Sequence, residues 1–211
     1  MASDIVHSGE IVDQVIAVLK GGDGDSHTNG LPVAWFTSGD DEYLRTLEHG
    51  DWSDYPNDEW LDRLPAILVR GLGPVPTGDA TIRQTLQTEE RVRVVHIRAH
   101  DQCYTAAGAL ERNMTRARER YAKIIGKALF ADPHKRLAVV GSEGSRTEAT
   151  LTSADTGGAQ VVNALFGGWD MGHDIDTANA TPDVDLVRGL NARVWAIACD
   201  LRVIVNNGRQ T

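Results

Sequence analysis

His96, His100 and Cys103 are the side chains of this chain best suited to holding a transition metal. On an extended segment His96 and His100 share one face, and Cys103 can approach from the turn that follows. A zinc site also needs a fourth ligand, or an open position with a second shell, and no further residue converges on these three. Asp23, Asp25 and His27 open like a calcium loop. Thr28 then stands at the sixth position, where glycine makes the turn, and Ala34 at the twelfth, where a bidentate Glu is required. Gly141-Ser142-Glu143-Gly144-Ser145 follows an apolar run, as a phosphate-cradling loop would. It lacks the Gly-Lys-Ser/Thr ending and reads as a hairpin turn instead. It does not fit the Gly-x-Ser-x-Gly nucleophile elbow either. His173, Asp174 and Asp176 make a polar cluster of the kind whose carboxylates bond their own backbone. These residues assign no catalytic group, no metal and no other cofactor, and the chain reads as a non-enzyme.

The elements that would position such side chains are clearest at the end of the chain. Trp195, Ile197, Cys199, Leu201, Val203 and Val205 are apolar, while Val194, Ala196, Ala198, Asp200 and Arg202 between them are small or polar. This period of two predicts a strand with one buried face. At about 3.3 Å per residue it extends roughly 40 Å, about twice a usual strand. A strand that long is expected to curve strongly or to pair beyond its own domain. Further upstream, Ser8 can cap a helix from Gly9 to Lys20 with Ile11, Val15 and Leu19 on its buried stripe, ended by Gly21-Gly22. Pro65 to Val69 predicts a buried strand, Gly71 to Gly78 a turn or loop, and Arg91 to Ala99 a strand. The alternation of that last strand changes frame between Val94 and Val95, which predicts a bulge or burial on both faces.

The spacing of Leu110, Met114, Ala117, Tyr121, Ile124 and Ala128 predicts a helix over Leu110 to Phe130, stopped by Asp132-Pro133. Its outer face is basic, with Arg112, Arg116, Arg118, Arg120, Lys123 and Lys127 against Glu111 and Glu119. Such a face is either a docking surface for an acidic partner or a solvated helix with weak internal ion pairs. Leu137 to Val140 and Thr147 to Thr152 read as a hairpin, Val161 to Phe166 as a further apolar stretch, and 167–185 as an irregular loop.

Charge is distributed unevenly. Between Gly21 and Arg63 eleven acids face only Arg45 and Arg63, a balance equal to the −9 of the whole chain. The same window holds Trp35, Phe36, Tyr43, Trp52, Tyr55 and Trp60, half of the aromatic residues. A solvated tail would be acidic without so many rings. The window 21–63 therefore reads as an insertion that docks on its own body or on a neighbouring subunit. Lys occurs only at positions 20, 123, 127 and 135, leaving 17 of 21 basic residues as Arg. That balance suits life at high salt, where a Debye length of about 3 Å screens carboxylate repulsion; GC-rich codon usage gives the same composition.

At 211 residues the chain is expected to form one domain, 1–211. No run nears the roughly 20 apolar residues of a membrane span. No secretory signal is visible, and two cysteines make no disulfide framework, so a cytoplasmic setting is expected. The negative charge and the lack of aromatic interleaving argue against specific nucleic-acid recognition.

The element order resembles that of the tail-terminator (tail-completion) proteins and related neck proteins of tailed viruses. It runs from a short N-terminal helix through the insertion to strands Leu64 to Val69 and Val92 to Ile97. The helix Leu110 to Phe130, further strands and the strand Val194 to Val205 complete it. The resemblance implies an α+β fold, a mixed, mostly antiparallel curved sheet packed by an N-terminal and a central amphipathic helix. It implies a virion protein assembled in the host cytoplasm as a hexameric ring. Such a ring caps the tail tube and contacts the tail-tube protein and a head-closure or adaptor protein, with DNA only passing through the lumen. A halophilic archaeal virus would suit the composition, and a head-closure or adaptor role in the same neck is the nearest alternative. The subunit and ring contacts expected on this reading are Arg112, Arg116, Arg120, Phe166, Trp169, Met171 and Trp195. Two other readings stand beside it: a metal-dependent or phosphate-handling enzyme built on His96, His100 and Cys103 or on the Gly141 loop, and a binding module whose acidic insertion engages a basic partner.

Overall fold

In α1 (Ser8–Lys20) the residues Ile11, Val12, Val15, Val18 and Leu19 recur at helical spacing, and all are fully buried. Gly21, at φ +88°, ends the helix and returns its N–H to the carbonyls of Ala17 and Val18. The chain comes back across this end at Gly30, where a Cβ would overlap the backbone of Leu19 and Gly21. Only glycine permits that crossing, and it lets the Leu31 N–H cap the Leu19 carbonyl at 2.8 Å. A computed structural model describes residues 8–21, 30–51, 54, 60–74, 87–129, 138–140, 146–148, 160–170, 174–175 and 194–206. The Asp23 loop, Trp52, Tyr55, the Gly141 turn, Met171, His173 and Asp176 lie outside the described residues.

After a 3-10 turn (Val33–Phe36) come β1 (Thr46–His49), the short α2 (Trp60–Arg63), β2 (Ala66–Pro74) and β3 (Gln87–Ala99). A second 3-10 turn (His100–Gln102) leads to α3 (Met114–Leu129), β4 (Ala138–Val140), β5 (Arg146–Glu148), β6 (Gln160–Asp170), β7 (Asp174–Ile175) and β8 (Val194–Asn206). The main sheet runs β1-β2-β3-β8-β6, with β7 also on β8, while β4 and β5 form a separate antiparallel pair. β1 and β2 are parallel and every other pairing in the main sheet is antiparallel. The fold is thus α+β with a mixed, mostly antiparallel sheet. Among the described residues no helix is long and apolar enough to cross a membrane.

β8 is one uninterrupted strand, and its period of two holds: Trp195, Ile197, Cys199, Leu201 and Val203 are buried, while Asp200 and Arg202 are not. Of the two expected outcomes, strong curvature or pairing beyond its own domain, the second is not what is seen: its length is absorbed by pairing inside the chain. β3 is equally long and matches it residue for residue, from Gln87 opposite Asn206 to Ala99 opposite Val194. β6 and β7 together occupy the other edge. β3 has no bulge against β8, so the frame change at Val94–Val95 reflects burial on both faces: Val92, Val94, His96 and Arg98 on the helix side, Ile97 and Ala99 on the other.

Three further boundaries differ from those expected. β2 continues through Gly71 to Pro74, because a register shift with Gly73 at φ +76° keeps the glycines in the sheet. β6 likewise runs on through Gly167 and Gly168, which sit in a register shift against β8. α3 begins at Met114; Leu110 instead bridges Tyr104 and is half exposed. Its buried stripe is Ala117, Tyr121, Ala122, Ile125, Ala128 and Leu129, with Ile124 at the margin.

α1 packs over β1, β2 and β3, and α3 contributes Tyr121 to the same apolar core beside Trp195. The opposite face of the sheet bears ion pairs. Arg93 grips Asp200 with two bonds of 2.6 and 2.8 Å, Arg202 pairs with Glu89, and Arg70 with Asp51. These carboxylates offset two unfavourable cross-strand neighbours, Arg70 opposite Arg93 and Arg91 opposite Arg202.

Candidate functional site

The helix-side face of β3 reads Val92, Val94, His96, Arg98, so its period of two carries a histidine and then an arginine into the core. Both are fully buried. His96 stacks on Trp35 with ring centroids 5.5 Å apart and meets the edge of Trp195 at the same distance. Its Nδ1 lies 3.1 Å from the Ala66 carbonyl. A carbonyl only accepts, so Nδ1 holds the proton and Nε2 is a bare acceptor, with no donor among the described residues. Burial, and then the neighbouring Arg98, hold this imidazole well below its ordinary pKa, so it is neutral.

Arg98 stands opposite Trp195 in the β3–β8 register. Its guanidinium lies 4.4 Å from the Tyr121 ring centroid and 5.4 Å from that of Trp35. It donates to the carbonyls of Gln102 at 2.5 Å and Glu42 at 3.3 Å. Burial lowers its pKa, but from so high a value that it remains a cation.

Above Arg98 the insertion closes onto α3. The Glu42 carboxylate accepts from Arg120 Nη1 at 2.5 Å and Nη2 at 3.0 Å, from Trp35 Nε1 at 3.2 Å and from the Tyr121 hydroxyl at 3.3 Å. Arg120 also donates to the Tyr104 carbonyl, and the Tyr104 N–H to the Tyr121 oxygen. Trp35 and Leu44 flank this point and are buried. The described part of the insertion therefore docks on its own body. An open cleft of about 400 Å³ lies outside the clamp, lined by Asp40, Asp41, Glu42, Tyr104, Thr105 and Arg120 among others.

Burial pushes the Tyr121 phenol up to about 12 and raises the Cys103 thiol. Cys103 Sγ receives the Trp195 indole N–H at 3.1 Å and lies 3.4 Å from the Ala99 carbonyl. Cys199 is buried and pushed up to about 12, as a core thiol should be. What the arrangement does is hold: one carboxylate ties an aromatic-rich segment to a helix and a strand.

The metal candidates do not converge. His96 lies in the core, His100 begins the following 3-10 turn, and Cys103 serves Trp195. Among the described residues no three His, Cys, Asp or Glu side chains group to hold a metal ion. Of the expected contact residues, Trp195 is wholly buried, and Arg120, its side chain 25% exposed, is engaged by Glu42 and lines the open cleft; the alternation and the helix spacing marked their faces but not their partners. Arg112 and Arg116 are exposed. Trp169 packs against the core beside Gly126 of α3, Phe166 lies in β6, and Met171 is outside the described residues. Sequence reasoning missed Trp35, Glu42 and Arg98. For Arg98 a signal existed, since it follows Val92, Val94 and His96 at the same period; for Glu42 there was none. No protein-family model and no curated protein matches the chain.

Proposed function

We propose that this chain is a structural virion protein that forms the tail-terminator ring, capping the tail tube beneath the head–tail connector. The observation that supports the reading most is the C-terminal 13-residue strand paired on both sides within a mixed sheet, with an N-terminal helix and a central helix on one face. That is the arrangement implied by the resemblance. The clamp at Glu42 adds support, because it ties the aromatic-rich segment to α3 through Trp35, Arg120 and Tyr121, and a fixed scaffold is what an assembly subunit requires. The strand β8 contributes rigidity, not a seam, since both of its edges are occupied within the chain.

A head-closure or adaptor ring in the same neck differs only in the neighbours it meets. Light scattering with class averaging of the purified chain in molar salt tests the reading. Closed rings are expected, and a stable monomer at micromolar concentration would overturn it.

A further inference from the structure

We infer that His96 is the catch of an acid-released latch: a proton taken up by its imidazole lifts the segment 32–43 from α3 and β3. The inference is independent of the ring reading. The segment leaves the end of α1, where the Leu31 N–H meets the Leu19 carbonyl, and rejoins the body where the Arg45 N–H meets the Pro65 carbonyl. Between these pins Thr37, Ser38, Gly39, Asp40 and Asp41 are exposed. Its principal fastenings are Trp35, fully buried against His96, and Glu42 on Arg120 and Tyr121. Ala34 and Phe36 are only partly buried beside them. A short segment with so few buried contacts is the kind that opens locally while the sheet beneath stays folded.

Every element packed on His96 is set for the neutral ring. Nδ1 donates to the Ala66 carbonyl of β2. Nε2 has no partner among the described residues, so a proton added there finds no acceptor. Arg98, two residues along β3, is the charge that acts on the ring, and it has the same sign as the imidazolium. α3 presents the Tyr121 phenol, whose pKa of about 12 keeps it un-ionised. β8 presents Trp195, whose indole N–H goes to Cys103. The buried stripe of α1 is apolar. The Glu42 carboxylate is taken up by Arg120, Tyr121 and Trp35 and makes no bond to the ring.

Of the three aromatic rings around His96, only Trp35 comes from the segment. Lifting the segment bares that face of the imidazole to water, where the charged form is solvated. Burial holds the closed-state pKa well below 6.5, and the open state regains the ordinary value. The latch is therefore shut above pH 6.5, and each unit below it favours the open form by up to about tenfold. From pH 7.5 to pH 5 the open population should rise about 30-fold. Opening parts Glu42 from Arg120 and uncovers the Trp35 indole. A face closed at neutral pH then presents an aromatic ring with Arg98 and Arg120.

Hydrogen exchange on the full chain tests this, with intrinsic rates divided out at each pH. The reporters are the Trp35 and Leu44 N–H groups, which bond the Pro32 and Trp35 carbonyls. Their protection should lie at least about tenfold below that of the β8 amides at every pH. It should fall about 30-fold between pH 7.5 and pH 5. His96→Gln keeps a donor for the Ala66 carbonyl, and His96→Phe keeps a ring against Trp35. In both the fall should shrink below about threefold, since neither side chain titrates, and either variant suffices if the other misfolds. Protection equal to that of β8 would make the opening global unfolding and overturn the latch. A fall that persists in the variants would assign it to carboxylates and overturn it too, as would the absence of any fall in the parent chain.

Discussion

At the scale of single residues, Glu42 is the side chain on which most partners converge, and it is only 14% exposed where it meets Arg120. Removing one member of a largely buried charged pair leaves the other without its counter-charge. Glu42→Gln should therefore cost about 2–3 kcal/mol in chemical denaturation. The double variant Glu42→Gln/Arg120→Met should cost clearly less than the sum of the single changes, because the two groups act on each other. His96 gives a pH dependence with a definite sign. Its ordinary value is 6.5 and the folded value is well below it, so below pH 6.5 the unfolded chain binds a proton that the folded chain refuses. Stability from this group is complete above pH 6.5 and declines as pH falls, by up to about 1.4 kcal/mol per unit. Melting curves from pH 7 to 5 should show a shallower decline in His96→Gln, which does not titrate.

At the scale of elements, the crossing of the returning chain over the end of α1 depends on glycine. Gly30→Ala should lower stability by about 1–3 kcal/mol, read as a fall in melting temperature, because the new methyl would overlap backbone and not a movable side chain. β8 shows the same dependence on close packing. Leu201 is fully buried opposite Val92, and Leu201→Ala should cost about 2–5 kcal/mol in denaturant titration. The elements were legible wherever hydrophobic periodicity ran without interruption, as in α1 and β8. They were misjudged where glycine stood inside a strand. Gly71-Leu72-Gly73 and Gly167-Gly168 look like turns in sequence, yet each sits at a register shift that a neighbouring strand tolerates. The start of α3 was misplaced because Leu110 matches the helical period while being spent on a bridge to Tyr104.

For the whole molecule, arginine is used where its fork matters. Arg93 on Asp200, Arg202 on Glu89 and Arg120 on Glu42 each grip a carboxylate with two bonds, a geometry lysine cannot reproduce. Two of the four lysines, Lys123 and Lys127, stand instead on the exposed row of α3. A chain of net charge −9 gains from screening, so the melting temperature should rise between 0.1 M and 2 M KCl. An unchanged melting temperature would trace the acidity to codon usage.

The sequence by itself determined the helices α1 and α3, the long closing strand and its buried face, because burial in a strand or helix repeats at a fixed period that one segment displays alone; the α+β class was implied by the resemblance. Only the tertiary structure decided what that strand pairs with and where the insertion lands. Partners for β8 lie about a hundred residues away in β3, and nothing local to either strand specifies their register. The same holds for Glu42, an ordinary surface acid by its neighbours in sequence. It becomes the centre of a clamp only when Trp35 from the turn just before it and Arg120 and Tyr121 from α3, 78 and 79 residues further on, are brought round it.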